Sequence, residues 1–150
     1  MQTDTDLVTA LLSTIGRFKR QIRRSAPRGF DGAGLSEAQA ELVRLVGRQP
    51  GISVSQAAAE LGLAANTAST LVSKLSADGL LVRTADPTDR RVGRLQLAES
   101  AQRTADDSRN ARRSALAGAL ERLDADELAD LTAGLAVLTK LTGLLDERQP

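Results

Sequence analysis

The chain has 150 residues, 41% hydrophobic and 26% charged, with 20 Lys plus Arg against 19 Asp plus Glu, which fits one ordinary globular domain and not a disordered chain. It has no Cys, His, Trp or Tyr and only two Phe. This excludes a disulfide framework, a thiol nucleophile or redox switch, thiolate or imidazole metal ligation, and any catalytic pair built on His.

Ala and Leu, 24 residues each, favour closely packed helices over a β-sandwich. Unbroken apolar runs are a few residues long, against the roughly 20 that span a bilayer. The opening residues 1–6 are polar and acidic, unlike a secretory leader. A cytoplasmic chain with no membrane partner is therefore expected. Proline at 27, 50 and 87 divides the interior, because each disfavours a helix running through it. No dinucleotide fingerprint, phosphate-binding loop or tandem repeat is present.

Leu7, Val8, Leu11, Leu12, Ile15, Phe18 and Ile22 recur at helical spacing and predict an amphipathic helix over residues ~5–25. Its other face carries Arg17, Lys19, Arg20, Arg23 and Arg24. Two readings stand: a solvated helix end whose charge suits the C-terminal dipole, or a flank that helps hold phosphates. Residues 26–34, with Pro27, Gly29, Gly32 and Gly34, predict a loop.

Ser36 followed by Gln39 is a capping box, in which hydroxyl and amide satisfy free backbone donors reciprocally. The stripe Ala38, Leu42, Leu45, Val46 extends that helix to Gly47, and Pro50-Gly51 predicts a turn. Ser53 with Gln56 is a second capping box, opening a short helix through Leu61.

Residues 54–75, VSQAAAELGLAANTASTLVSKL, carry the most information. A short helix, a tight turn at Gly62 and a second helix fit a helix-turn-helix. Ala58 is small where helices cross closely. Leu61, Leu63, Ala68, Leu71 and Leu75 are predicted to point inward, which leaves Asn66, Thr67, Ser69, Thr70, Ser73 and Lys74 outside. Amides and hydroxyls suit base edges in a DNA major groove, and Lys74 suits phosphate. An ordinary helix pair with a polar outer face would read the same way.

Gly79 to Arg83 starts an extended segment, and Val92, Leu95 and Leu97 give a second with partial alternation. Between them Asp86-Pro-Thr-Asp-Arg-Arg91 is a charged turn. Two strands with a basic tip directly after a helix-turn-helix predict a winged helix, with Arg90 and Arg91 placed for a minor groove.

Further on, a helix is predicted over roughly 100–122 with Ala105, Ser108, Leu116, Leu120 and Leu123 to one side. Another follows over 125–146, with Leu128, Leu131, Leu135, Leu138, Thr142 and Leu145 in a near-heptad seam. Leu141 and Leu144 widen that face, and a second copy of the chain is the natural partner. The acidic group Asp124, Asp126, Glu127 and Asp130 resembles a carboxylate site. It also fits the negatively charged start of a helix, with Asp124 as the cap.

The stretch Asp89-Arg-Arg91-Val-Gly-Arg-Leu95-Gln-Leu97-Ala98 matches a D-x-R-x-x-x-L-x-L-T wing signature, and the run from Leu61 to Arg91 aligns without gaps to the recognition helix and wing around it. On these residues the chain resembles, over nearly its whole length, the multiple-antibiotic-resistance-repressor (MarR) family of winged-helix transcriptional regulators. The resemblance implies a mainly α, α+β fold in a single 1–150 domain. Residues 36–98 would be the winged DNA-binding lobe, with 5–25 and 100–146 as an all-α dimerisation part. It further implies a homodimer on a pseudo-palindromic operator, most often as a repressor. Arg91 would be the minor-groove arginine, Arg90 a second groove or phosphate contact, and Asp89 an acid that shapes the wing. Asn66, Thr67, Ser69, Thr70 and Lys74 would contact bases or backbone.

Three positions depart from the family. Ala98 replaces the final Thr and removes a capping hydroxyl, so the next helix is expected to begin nearer Ser100. Ala64 stands where many members have Ser, so that Asn66 can substitute as a cap, in competition with a base-reading role. Ala65 and Thr70 replace arginines that read guanine in many members.

An alternative is a winged helix repurposed for protein–protein contact, although such interfaces favour exposed aromatics, Met and Leu, which residues 66–74 and the wing lack. Nothing suggests an activated nucleophile, so no enzyme and no cofactor are expected. Small, often aromatic, acids bind many family members between the dimer helices and the DNA lobe. With two Phe here, an aromatic-lined pocket is not expected, no pocket residues are assigned, and any effector would be non-covalent. The net charge of +1 is divided: 62–97 carries five basic and three acidic groups, and 98–150 seven and ten. A local DNA-binding face on a near-neutral dimer has this polarity.

Overall fold

The computed structural model describes residues 2–26, 29–30 and 34–147. In chain order it forms α1 (Gln2–Arg24), α2 (Glu37–Arg48), α3 (Val54–Leu61), α4 (Ala65–Ala77), β1 (Leu81–Ala85), β2 (Gly93–Leu97), α5 (Glu99–Leu120) and α6 (Ala125–Asp146). This is the expected mainly helical fold with a small β-wing. The expected loop over 26–34 lies partly outside the described residues, Pro27 and Gly32 included. The chain divides into two compact units, Met1–Arg112 and Arg113–Pro150.

In the first unit α2 is the central element. Leu42, Val43, Leu45 and Val46 are at most 1% exposed and meet Ile52, Ala57, Val72, Leu75, Leu81, Leu95, Leu97 and Ala101 in one cluster. Burying each Leu or Val contributes about 1.5–3 kcal/mol, so this cluster is what holds α4 and the wing in place. Both capping boxes form as read. Ser36 Oγ accepts from Gln39 N–H at 3.2 Å and Ser53 Oγ from Gln56 N–H at 3.1 Å, while each Gln carbonyl accepts from the serine's own N–H.

The α2–α5 crossing is close at Gly47, where an added Cβ would stand 3.2 Å from Ala105 Cβ and 3.3 Å from Leu97 Cδ1. The Gly47 carbonyl accepts from Gln102 Nε2 and Arg109 Nη1, and Asp106 Oδ1 holds both side chains. Helix α5 begins at Glu99, one residue before the expected start near Ser100. The Ala98 carbonyl already accepts from Gln102 N–H at 2.8 Å, and Ala98 N–H is held by Leu80 O. Backbone pairing with β1's flank sets the start that the missing hydroxyl left open.

In the second unit α6 opens on a capping box between Asp124 and Glu127. The acidic group is accordingly the start of a helix, and among the described residues no cluster of acidic side chains is arranged to hold a metal. No residue of α6 is buried. Thr132, Thr139 and Thr142 donate their hydroxyls to the carbonyls four residues back at 2.8–3.0 Å. The expectation that nothing spans a bilayer counted unbroken apolar runs. By length and composition α6 does reach that class.

Candidate nucleic-acid interface

The helix-turn-helix is set by Gly62, whose φ of 64° and ψ of 33° lie in the left-handed region that a side chain disfavours. There Leu63 N–H reaches Ala58 O at 2.9 Å and Gly62 N–H reaches Ala59 O at 3.2 Å, closing α3. Helix α4 then buries Ala68, Val72 and Leu75. Val72 belongs to the inner face and was missing from the expected set, while Leu61, Leu63 and Leu71 are half-buried.

Asn66, Thr67, Ser69, Thr70, Ser73 and Lys74 are all exposed, as expected of the outer face. Their local bonds decide what each can offer. Thr70 Oγ1 donates to Asn66 O at 2.9 Å, so outward it presents lone pairs and a methyl group. Asn66 is not the cap of α4: Ala64 occupies that position, with no side-chain bond. Asn66 sits inside the first turn, where its Oδ1 accepts from Thr67 N–H at 2.9 Å and its amide NH2 remains available as a donor. Lys74 Nζ lies 3.7 Å from Asp78 Oδ2, an exposed pair that contributes little in water and leaves the ammonium available.

Strands β1 and β2 pair antiparallel from Leu81↔Leu97 to Ala85↔Gly93. The turn after α2 adds a short third edge: Gly51 N–H donates to Leu95 O at 2.8 Å and Leu95 N–H to Ile52 O at 2.9 Å. The wing is therefore built into the lobe on both sides of β2.

The wing tip is organised by a residue that the sequence reading did not single out. Asp86 Oδ1 accepts from Thr88 N–H at 2.8 Å, Thr88 Oγ1 at 2.7 Å and Asp89 N–H at 3.2 Å. Its Oδ2 takes Arg94, and Arg94 Nη1 also reaches the Gly51 carbonyl at 3.4 Å. The Thr88 hydroxyl first, then Thr88 N–H, Arg94 and Asp89 N–H, hold this carboxyl well below the usual carboxylate range. An Asp ahead of Pro-Thr is a turn signature in which the carboxylate bonds the backbone two residues on. That half was readable in the sequence, and the reach to Arg94 across the hairpin was not.

Asp89 plays a smaller part: its Oδ1 accepts from Arg91 N–H at 3.1 Å and from Arg91 Nε at 3.4 Å. The Arg91 side chain is 94% exposed. Arg90 is exposed and has no ion pair among the described residues. The six helix residues and the two tip arginines thus stand on one winged lobe.

Away from this surface the first unit holds an open cleft of about 470 Å³. Lys19, Arg23, Arg44, Arg48 and Arg112 outnumber Glu41 and Glu60 around it, and Phe18, Ile22 and Leu61 supply apolar wall.

Residues 33–92 match the sequence model of the MarR family. The fold is similar to that of Streptococcus pneumoniae FabT, solved in complex with DNA, at 19% identity with a TM-score of 0.75, covering 96% of this chain and 98% of that one. It is also similar to a MarR family protein from Bacillus stearothermophilus, at 20% identity and TM-score 0.71 over 95% and 96%. A third likeness is to the PcaV transcriptional regulator of Streptomyces coelicolor, solved with its natural ligand, at 20% identity and TM-score 0.58 over 87% and 89%. No curated protein sequence matches. The likeness to MarR family members is therefore one of sequence over residues 33–92 and of fold over nearly the whole chain.

Proposed function

We propose that the protein is a sequence-specific repressor that binds a pseudo-palindromic operator as a homodimer. The observation that carries this is the pairing, on one lobe, of an exposed amide-and-hydroxyl face on α4 with two exposed arginines on a wing tip held by Asp86. Such a surface offers hydrogen-bond donors and acceptors to base edges and exposed positive charge to a narrow groove, and it offers no aromatic anchor to a protein. Asn66, Thr67, Ser69, Thr70, Ser73 and Lys74 enter the major groove. Arg90 and Arg91 take the minor groove, with Asp89 setting the backbone of Arg91. Two such lobes engage half-sites about one helical turn, ~34–36 Å, apart.

Helices α1, α5 and α6 supply the contacts between protomers. Leu7, Val8, Leu12 and Phe18 of α1 and Leu128, Leu131, Leu135, Leu144 and Leu145 of α6 are exposed in the single chain, and each helix thus offers apolar side chains for a second copy to cover. A non-covalent anionic effector fits the basic cleft of the first unit and would release the operator by preferring one spacing of the two lobes.

The test is Arg91→Ala. Operator binding should fall by at least tenfold while the oligomeric state and the melting transition stay unchanged. Wild-type affinity should drop steeply with salt as phosphate contacts release counterions. Binding that is indifferent to both would remove this reading.

A further inference from the structure

The two strands of the wing place arginines on opposite faces. Arg94 stands opposite Thr84 in the register and is neutralised by Asp86. Arg83 stands opposite Leu95, on the face through which Leu81 and Leu97 enter the core. Its neighbours there are hydrophobic, yet it is exposed and makes no ion pair or side-chain hydrogen bond among the described residues.

The guanidinium lies against the backbone of Gly93, so closely that a Cβ on that residue would stand 2.9 Å from Arg83 Cζ and 2.9 Å from Nη2. Gly93 is opposite Ala85 in the ladder, diagonal to Arg83. Diagonal neighbours across strands are within reach of long side chains. The glycine is not required by backbone conformation, since its φ is not positive. What its missing side chain provides is a seat for the arginine. β1 follows α4 and packs against it, so Arg83 is placed between the recognition helix and the tip arginines at the far end of the hairpin.

We propose that Arg83 is a third arginine of the DNA interface, binding a backbone phosphate between the groove read by α4 and the groove entered by the wing, and that Gly93 is the positioning residue that seats it. A guanidinium carries five donors in a fixed fork suited to phosphate oxygens. One that makes no ion pair within the chain keeps those donors for a phosphate. The inference rests on the DNA-binding reading above.

A mixed-sequence duplex long enough for two half-sites serves as the probe, since a phosphate contact carries no sequence preference. Arg83→Gln should weaken binding about tenfold at moderate salt and lower the slope of log affinity against log salt by about one per protomer. Arg83→Lys should keep the slope with reduced affinity. Gly93→Ala should reproduce part of the Arg83→Gln loss, and the double variant should be no weaker than Arg83→Gln alone. Circular dichroism melting of each variant verifies folding. If Arg91→Ala loses affinity while Arg83→Gln keeps both affinity and slope, this inference is overturned and the DNA-binding reading stands. If neither substitution changes binding, both fall. Additive loss in the double variant would overturn the role of Gly93.

Discussion

One carboxylate oxygen of Asp86, Oδ2, lies 2.8 Å from both Nε and Nη2 of Arg94, while its other oxygen gathers the backbone of the wing tip. The pair joins the turn that carries Arg90 and Arg91 to a strand that is itself bonded to the Gly51–Ile52 turn. Removing it should loosen the tip without touching the core. Asp86→Ala is expected to lower DNA affinity several-fold with little change in the unfolding midpoint, measured by fluorescence anisotropy beside urea denaturation. Loss of folding cooperativity would show that the pair holds the lobe and not the tip. The sign of the pH effect follows from the depressed carboxyl. Its contribution is present above the unfolded carboxylate range, near pH 4, and is lost only as pH falls through the lower folded value. Between pH 5 and 8 the wing should be pH-independent, and a titration of DNA affinity across that range is the check.

Ser53 is 5% exposed and caps α3 from beneath the wing's third edge. Ser53→Ala removes the acceptor for Gln56 N–H and should cost about 1 kcal/mol, read as a lower urea midpoint at unchanged slope. The same change at the exposed Ser36, where water can replace the hydroxyl, should cost less.

Leu135 is 54% exposed, on the near-heptad face of α6. Leu135→Asp puts a charge into that seam, and a homodimer joined there should dissociate to monomer by light scattering after size-exclusion chromatography. A dimer that persists would locate the protomer contact on other helices.

Much of the fold was legible because its signals are local. Two capping boxes marked the starts of α2 and α3 and an Asp cap that of α6, and Gly62 marked the turn through a backbone conformation that few other residues accept. The outer face of α4 followed from which positions were apolar. What escaped notice depends on contacts distant in sequence or on a side chain that is absent. Asp86 meets Arg94 only once the hairpin has closed, and Gly93 acts through the space it leaves for Arg83. The cap of α4 was misplaced onto Asn66 because a polar residue near a helix start looks like a cap. The chain instead enters the helix at Ala64, and the asparagine serves the first turn from within. The basic cleft draws on α1, α2, α3 and α5 and has no motif in the sequence.

All of the buried core cluster lies between Leu42 and Ala101, and α6 buries nothing within its own chain. Most of a helix's stability in a protein comes from packing its apolar face and not from intrinsic propensity. The lobe therefore carries its own stabilising core, whereas in the homodimer proposed above α6 would draw its stability from a second copy and so from mass action. In that homodimer dilution should loosen the C-terminal helix while the winged lobe stays folded, and the concentration of the protein would set how much of it can engage two half-sites at once.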